Sequence, residues 1–195
     1  KASAPTTIRL EAGFEPWKSV APDFADHVND TLPRDFDGAD GLHYTNRTGR
    51  NDLVACKVAR DAQNVYFYAR TREPITAHTD PRWMWLLIDA DGDPATGWEG
   101  YDFLVNRQVE NAATSLERNA GGWNWNAAAK VAYRVEGCEL QVAIPRTALG
   151  LRENAPLPAL HFKWADNLQS PGDVLDFYQS GDVAPEGRFA YRYAE

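Results

Sequence analysis

The chain has 195 residues, a formal net charge of −8 at pH 7 and 12% aromatic residues. That length suits one domain, a single β-sandwich over 1–195, and the charge excludes a nucleic-acid partner or an anionic membrane surface, because phosphate binding needs a basic face. No apolar run approaches the roughly 18 residues that a membrane-spanning helix needs, and the small polar start, Lys1 to Thr7, reads as the edge of a module within a larger multidomain protein.

The chain then divides into short β-rich runs. Pro22 to Gly41, rich in Asp, Pro and Gly, reads as a long loop. Leu53–Ala59 is the first strand, with Val54, Cys56 and Val58 on one face. Asn64–Thr71 alternates Val65, Phe67 and Ala69 against Tyr66, Tyr68 and Arg70, the period-two pattern of a strand. Trp83–Asp89 is apolar on both faces and is expected at the centre of a sheet, with Trp83 and Trp85 in the core. Tyr101–Asn106, Lys130–Val135, Leu140–Ile144, Leu160–Trp164, Val174–Tyr178 and Phe189–Tyr193 complete the strands, and Pro145–Leu151 makes one helical turn stopped by Gly150. Turn pairs such as Asp37-Gly38, Gly121-Gly122, Glu136-Gly137 and Pro171-Gly172 punctuate the runs. Many short strands at this spacing predict an all-β fold, an antiparallel two-sheet β-sandwich of jelly-roll type with little helix. Cys56 and Cys138 either form one disulfide or remain two free thiols, and spacing leaves both open.

The sharpest local signal is Asp89-Ala90-Asp91-Gly92-Asp93-Pro94-Ala95-Thr96-Gly97-Trp98. Carboxylates at alternate positions repel one another unless something neutralises them, and calcium takes six to eight oxygens at adaptable geometry. Asp89, Asp91, Asp93 and Thr96 are therefore the expected Ca2+ ligands, with Gly92 supplying the bend; the alternative is a solvated Asp-Gly turn without an ion. An EF-hand does not fit, since its twelfth position holds Gly100 rather than Glu and strands rather than helices flank the loop. His27, His43, His78 and His161 are scattered without metal-ligand spacing.

Beyond the loop, Trp83-Met84-Trp85-Leu86-Leu87-Ile88-Asp89-Ala90-Asp91-Gly92-Asp93, Thr96-Gly97-Trp98, Gly100-Tyr101-Asp102-Phe103 and Val105-Asn106-Arg107 resemble family 9 carbohydrate-binding modules and the related DOMON-like domains. Asn64–Ala69, Glu139–Pro145 and His161–Asn167 match further pieces in the family's order, over roughly residues 50–193. The resemblance implies a β-sandwich with structural calcium, secreted to an extracellular or periplasmic space and attached to a glycoside hydrolase or lyase domain. It implies a polysaccharide or oligosaccharide ligand clamped between Trp rings, with polar help from an acid, an Arg and a late Asn or Gln. Here those polar positions hold Trp85, Leu104 and Trp164, with Asp166 and Asn167 just beyond.

Trp123 and Trp125, in a Gly- and Asn-rich stretch, point the same way if extended, as a sugar platform or as a lid on the sandwich edge. Trp98 is a platform or, the favoured reading, a plug. Trp164, Asp166, Asn167, Gln169, Asp173, Asp176, Tyr178, Asp182 and Arg188 line a polar groove or form a loop network in which Asp182 or Asp176 pairs with Arg188. No nucleophile–base order or phosphate-cradling loop is present, so no enzyme is expected, and the resemblance implies non-catalytic carbohydrate binding. The alternatives are a haem-binding electron-transfer domain, with Met84 and His161 or Lys163 as axial ligands, and a purely structural sandwich packing on a catalytic domain.

Overall fold

The computed structural model describes residues 1–31, 34–38 and 41–195. In chain order the strands are β1 (Phe24–Ala25), β2 (Arg34–Asp37), β3 (His43–Asn46), β4 (Leu53–Arg60), β5 (Asn64–Thr71), β6 (Trp85–Asp89), β7 (Phe103–Val109), β8 (Ala113–Asn119), β9 (Trp125–Glu136), β10 (Glu139–Pro145), β11 (Leu160–Asp166), β12 (Asp182–Ala184) and β13 (Tyr191–Tyr193); a single helical turn, α1, covers Asp176–Gln179. The fold is all-β and sandwich-like, with antiparallel pairing.

The two expected layers are continuous. Ten strands follow the order β1-β4-β5-β10-β9-β8-β7-β6-β11-β12, β13 pairs with β11 as the eleventh strand of that sheet, and β2–β3 form a separate hairpin. The long strand β9 joins the layers: Ala132 to Glu136 pair with β10, whereas Trp125 to Ala132 pair with β8. At the far seam, the Leu53 N–H at the start of β4 donates to Asp182 Oδ2 on β12 at 2.6 Å.

Alternation then decides what each face covers. Val65, Phe67 and Ala69 of β5 enter the inner core with Leu86 and Ile88 of β6, Leu140 and Val142 of β10, and Phe162 and Trp164 of β11. Burial of each large aliphatic or aromatic side chain contributes about 1.5–3 kcal/mol. Tyr66 and Tyr68 face outward, where Ile8, Trp17 and Val20 of the N-terminal segment cover them. Trp17 stacks on Tyr68 with 5.0 Å between centroids and donates its Nε1–H to Gln141 Oε1 at 2.7 Å. A second outer cluster covers β6, β7 and β11, so β6 is covered on both faces as its sequence predicts.

Several expectations change. A bulge near Val54 puts Leu53, not Val54, in the inner core beside Cys56 and Val58. Val174–Tyr178 is not a strand: Asp173 Oδ1 accepts the Leu175 N–H at 2.9 Å and Asp176 accepts the Ser170 N–H at 2.8 Å, local bonds that favour the turn α1. Pro22 to Gly41 contains β1 and β2 rather than only loop, and Leu32, Pro33, Ala39 and Asp40 within it lie outside the described residues. Both cysteines are free: Cys56 is buried in the inner core and Cys138 sits in the β9–β10 turn. The turn after Pro145 is a 3-10 turn, Arg146–Leu149, ended by Gly150 at φ 72°.

Candidate functional site

Asp89, the last residue of β6, opens a loop that returns to β7. Trp98 and Tyr101 exchange both backbone hydrogen bonds at 2.9 Å, and the Asp102 N–H donates to the Ile88 carbonyl at 2.9 Å. Gly97 makes this closure possible, since a Cβ there would lie 2.1 Å from the Tyr101 oxygen. The return brings Asp102 back beside Asp89, so that Asp89, Asp91 and Asp102 each place a carboxylate oxygen within 4.8 Å of the others.

Of the expected ligands, Asp93 lies outside the converging trio, and its Oδ1 accepts the Ala95 N–H at 2.9 Å. Thr96 does sit at the centre: its hydroxyl is 3.2 Å from Asp91 and Asp102 carboxylate oxygens and 3.0 Å from the Asp93 carbonyl. Asp89 Oδ1 accepts the Gly92 N–H at 2.6 Å, and Asp89 Oδ2 lies 3.1 Å from His161 Nδ1. Burial raises the Asp102 carboxyl above its ordinary value; the charges of Asp91 and Asp89 push the same way, against the Ala90 N–H and the Thr96 hydroxyl. The donors are all hard oxygens: three carboxylates, a hydroxyl and a carbonyl, with Asp91 open to water. That set suits calcium or magnesium and offers no soft ligand for a thiophilic metal.

Trp98 carries this loop into the outer aromatic cluster. It is buried on Trp85, Leu87, Leu104 and Phe177, which supports the plug reading. Trp123 stands against it with 4.5 Å between centroids and a 76° interplanar angle, and also meets Trp85 at 5.8 Å and Trp125 at 5.4 Å. Trp123 and Trp125 are half-buried, and Gly172 makes room for Trp123, since a Cβ there would lie 2.8 Å from its Cγ. Trp123 packs over Trp98 and Trp85, Trp125 packs on Trp123, and both remain half-exposed. Trp125 Nε1 is buried without a hydrogen-bond partner among the described residues.

Polar neighbours come from strands that the aromatic pattern does not reveal. Glu117 pairs in register with Leu104 on one side and Ala127 on the other, and Asn119 pairs with Trp125. Residues opposite one another share a face, so Glu117 lies on the face of Leu104 and Trp125. Glu117 is buried and forms an ion pair with Arg107 at 3.0 Å.

Other expected ligand residues are buried. Trp164 has no exposed surface and belongs to the inner core, because alternation along β11 points it inward with Phe162. Asp166 is fully buried, pairs with Arg50 Nε at 2.8 Å and accepts the Met84 N–H at 2.9 Å. Burial raises the Asp166 carboxyl, with Arg50 opposing. Asn167 is buried, donates to Thr48 Oγ1 at 3.0 Å, and borders a polar hollow of about 330 Å³ with Thr45, Arg47 and Gln169. Arg188 pairs with Glu99 at 3.3 Å, not with Asp182 or Asp176. The axial pair considered for haem is not assembled: Met84 lies in the inner core, while Lys163, between Phe162 and Trp164 on β11, faces outward onto the Phe177 ring at 4.9 Å. His161 faces the acidic loop instead.

Searches of protein-family models, curated proteins and solved structures found no match to this chain.

Proposed function

We propose that this chain is a non-catalytic carbohydrate-binding module, akin to the family 9 and DOMON-like modules it resembles in sequence, in which a calcium-binding acidic loop holds an aromatic shelf for a sugar. The observation that carries this reading is the contact between Trp98, fixed in the acidic loop, and Trp123, which continues to the half-exposed Trp125.

Bound calcium would neutralise the mutual repulsion of Asp89, Asp91 and Asp102. The chain's own residues do the rest. Trp98 transmits the loop's position to Trp123 through ring contact, and the Trp123–Trp125 edge offers apolar surface to the C–H face of a pyranose. Arg107, on the neighbouring strand and oriented by its ion pair with the buried Glu117, supplies a charged donor for hydroxyl groups. A shallow shelf of this kind buries little area, so the expected dissociation constants are roughly micromolar to millimolar. The same reading attaches the module to a secreted polysaccharide-degrading enzyme, in an extracellular or periplasmic setting.

The test is a glycan array probed with the purified chain in calcium and again after chelation. Binding that weakens on chelation and returns with calcium supports the proposal; uniform failure to retain any glycan in calcium rules it out.

A further inference from the structure

A second concavity, separate from the shelf, lies where the β5–β6 connection, the β7–β8 turn, β9 and the N-terminal segment meet. Its volume is about 500 Å³, within the range of small-molecule sites, and none of its lining residues belongs to the outer aromatic cluster. Met84, at φ 43°, separates the two: Trp83 before it joins the inner core, and Trp85 after it joins the outer cluster.

Three rings line this cavity, and two of them, Trp83 and Tyr133, are fixed by hydrogen bonds. The Trp83 indole N–H donates to the Thr76 carbonyl at 2.8 Å. His78 and Tyr133 each meet Trp83 edge-on, at 6.3 Å between centroids and interplanar angles of 73° and 77°. The Tyr133 hydroxyl donates to the Glu110 carbonyl at 2.9 Å and keeps its acceptor lone pairs. Ile75 adds apolar wall.

The rim is polar. The side chains of Glu11, His78 and Asn111 make no hydrogen bond or ion pair with a described residue. Arg134, also in the lining, is already engaged by the Leu10 and Glu11 carbonyls and by Glu136. An apolar aromatic interior with a free carboxylate, amide and imidazole around its mouth matches a ligand with one C–H face and several hydroxyls. It is poorly suited to an anion, which would meet Glu11, or to a fatty chain, which would leave the rim's polar groups unused.

We propose that this cavity is a second carbohydrate subsite, taking a terminal sugar unit between His78 and Tyr133 with its hydroxyls on Glu11 and Asn111. This rests on the carbohydrate-binding reading above and adds a position to it.

The experiment is calorimetric titration of the full chain, in calcium, with cellobiose, xylobiose, lactose and chitobiose. The wild type is compared with Asn111→Ala, His78→Ala and Trp125→Ala, each confirmed by its melting curve to be fully folded at the titration temperature. Expected are two classes of site for at least one sugar. Asn111→Ala and His78→Ala should weaken only one class, about tenfold for each lost hydrogen bond, and Trp125→Ala only the other. One site lost in Trp125→Ala and untouched by the cavity variants overturns the subsite and leaves the shelf standing. One site lost only in the cavity variants keeps the subsite and removes the shelf. No heat with any sugar for the folded wild type overturns both.

Discussion

Trp98 and Trp123 meet edge to face at 4.5 Å, and this contact joins the acidic loop to Trp123 and Trp125, the half-exposed pair among the four tryptophans of the outer cluster. Trp98 is held by paired backbone bonds to Tyr101, the residue before Asp102, so a change in the geometry of the carboxylate trio reaches Trp98 through that pairing and Trp123 through the ring contact.

The loop should therefore respond to calcium as a unit. An ion that binds the folded state preferentially raises the melting temperature. Saturating calcium should stabilise the chelated protein, and Asp102→Asn should abolish most of that increment. Asp93→Asn should keep it, because Asp93 offers its carbonyl rather than its carboxylate. Equal responses in the two variants would show that the trio does not hold the ion.

The shelf residues should separate by burial. Trp123→Ala leaves a hole against Trp85, Trp98 and the Gly172 backbone, and is expected to cost about 2–3 kcal/mol of stability, below a fully buried Trp→Ala change. Trp125→Ala should cost less and still weaken glycan binding. Denaturant melts of both variants check this; an equal loss would put Trp125 in the core with Trp123.

Asp166 is a structural group. Its carboxylate is buried against Arg50 and the Met84 N–H, and truncation leaves the guanidinium without its main partner. Breaking such a buried pair costs about 3–5 kcal/mol. Asp166→Ala should unfold at markedly lower denaturant concentration, and Arg50→Ala should lose a similar amount, with a double-mutant cycle showing strong coupling. Independent, additive losses would contradict the pairing.

The sequence reveals most clearly what local periodicity encodes. In β5 the two faces carry different side chains, and Val65, Phe67 and Ala69 go inward as their alternation requires. The strand β8 was hidden because Thr114 and Leu116 are its only fully buried non-ionic side chains, and its place is set by pairing with β7 and β9 on either side. Spacing does not single out Asp102 for a related reason. It reaches Asp89 through the hydrogen bond that lays β7 beside β6, a long-range contact that no local spacing expresses. Trp164 shows the opposite error: its position in a run with Asp166 and Asn167 suggested a polar site, while the alternation of β11 turns it into the core. Glu117 and Arg107 were equally invisible, since their meeting depends on the register of β7 against β8.

The seam between the sheet's two edges should give the protein an unusual pH profile. Asp26, Asp30 and Asp182 converge there, and Asp26 Oδ2 and both Asp30 oxygens are buried without hydrogen-bond partners among the described residues. Burial, with the charge of Asp30, pushes the Asp26 carboxyl up to about 6. Burial, with the neighbouring Glu186, pushes Asp30 up to about 7. Both ordinary values are 3.8. Between those limits the folded state holds protons that the unfolded chain has released, so stability falls as pH rises from about 4 towards 7. Lys163 acts in the other direction: burial lowers it from 10.5 to about 7, against the charges of Asp26, Glu186 and Asp182. The unfolded chain binds the extra proton between 7 and 10.5, so this group restores stability as pH rises through that window. The seam is therefore least favourable near neutrality. Asp30→Asn removes one ionising group without removing an acid that holds the Lys163 charge. It should raise the melting temperature at pH 7.5, leave it nearly unchanged at pH 4, and flatten the slope between them. Thermal melts of wild type and variant across pH 4–9 would settle the matter, and a variant that is destabilised at pH 7.5 would mean that the Asp30 carboxylate is compensated in the folded state.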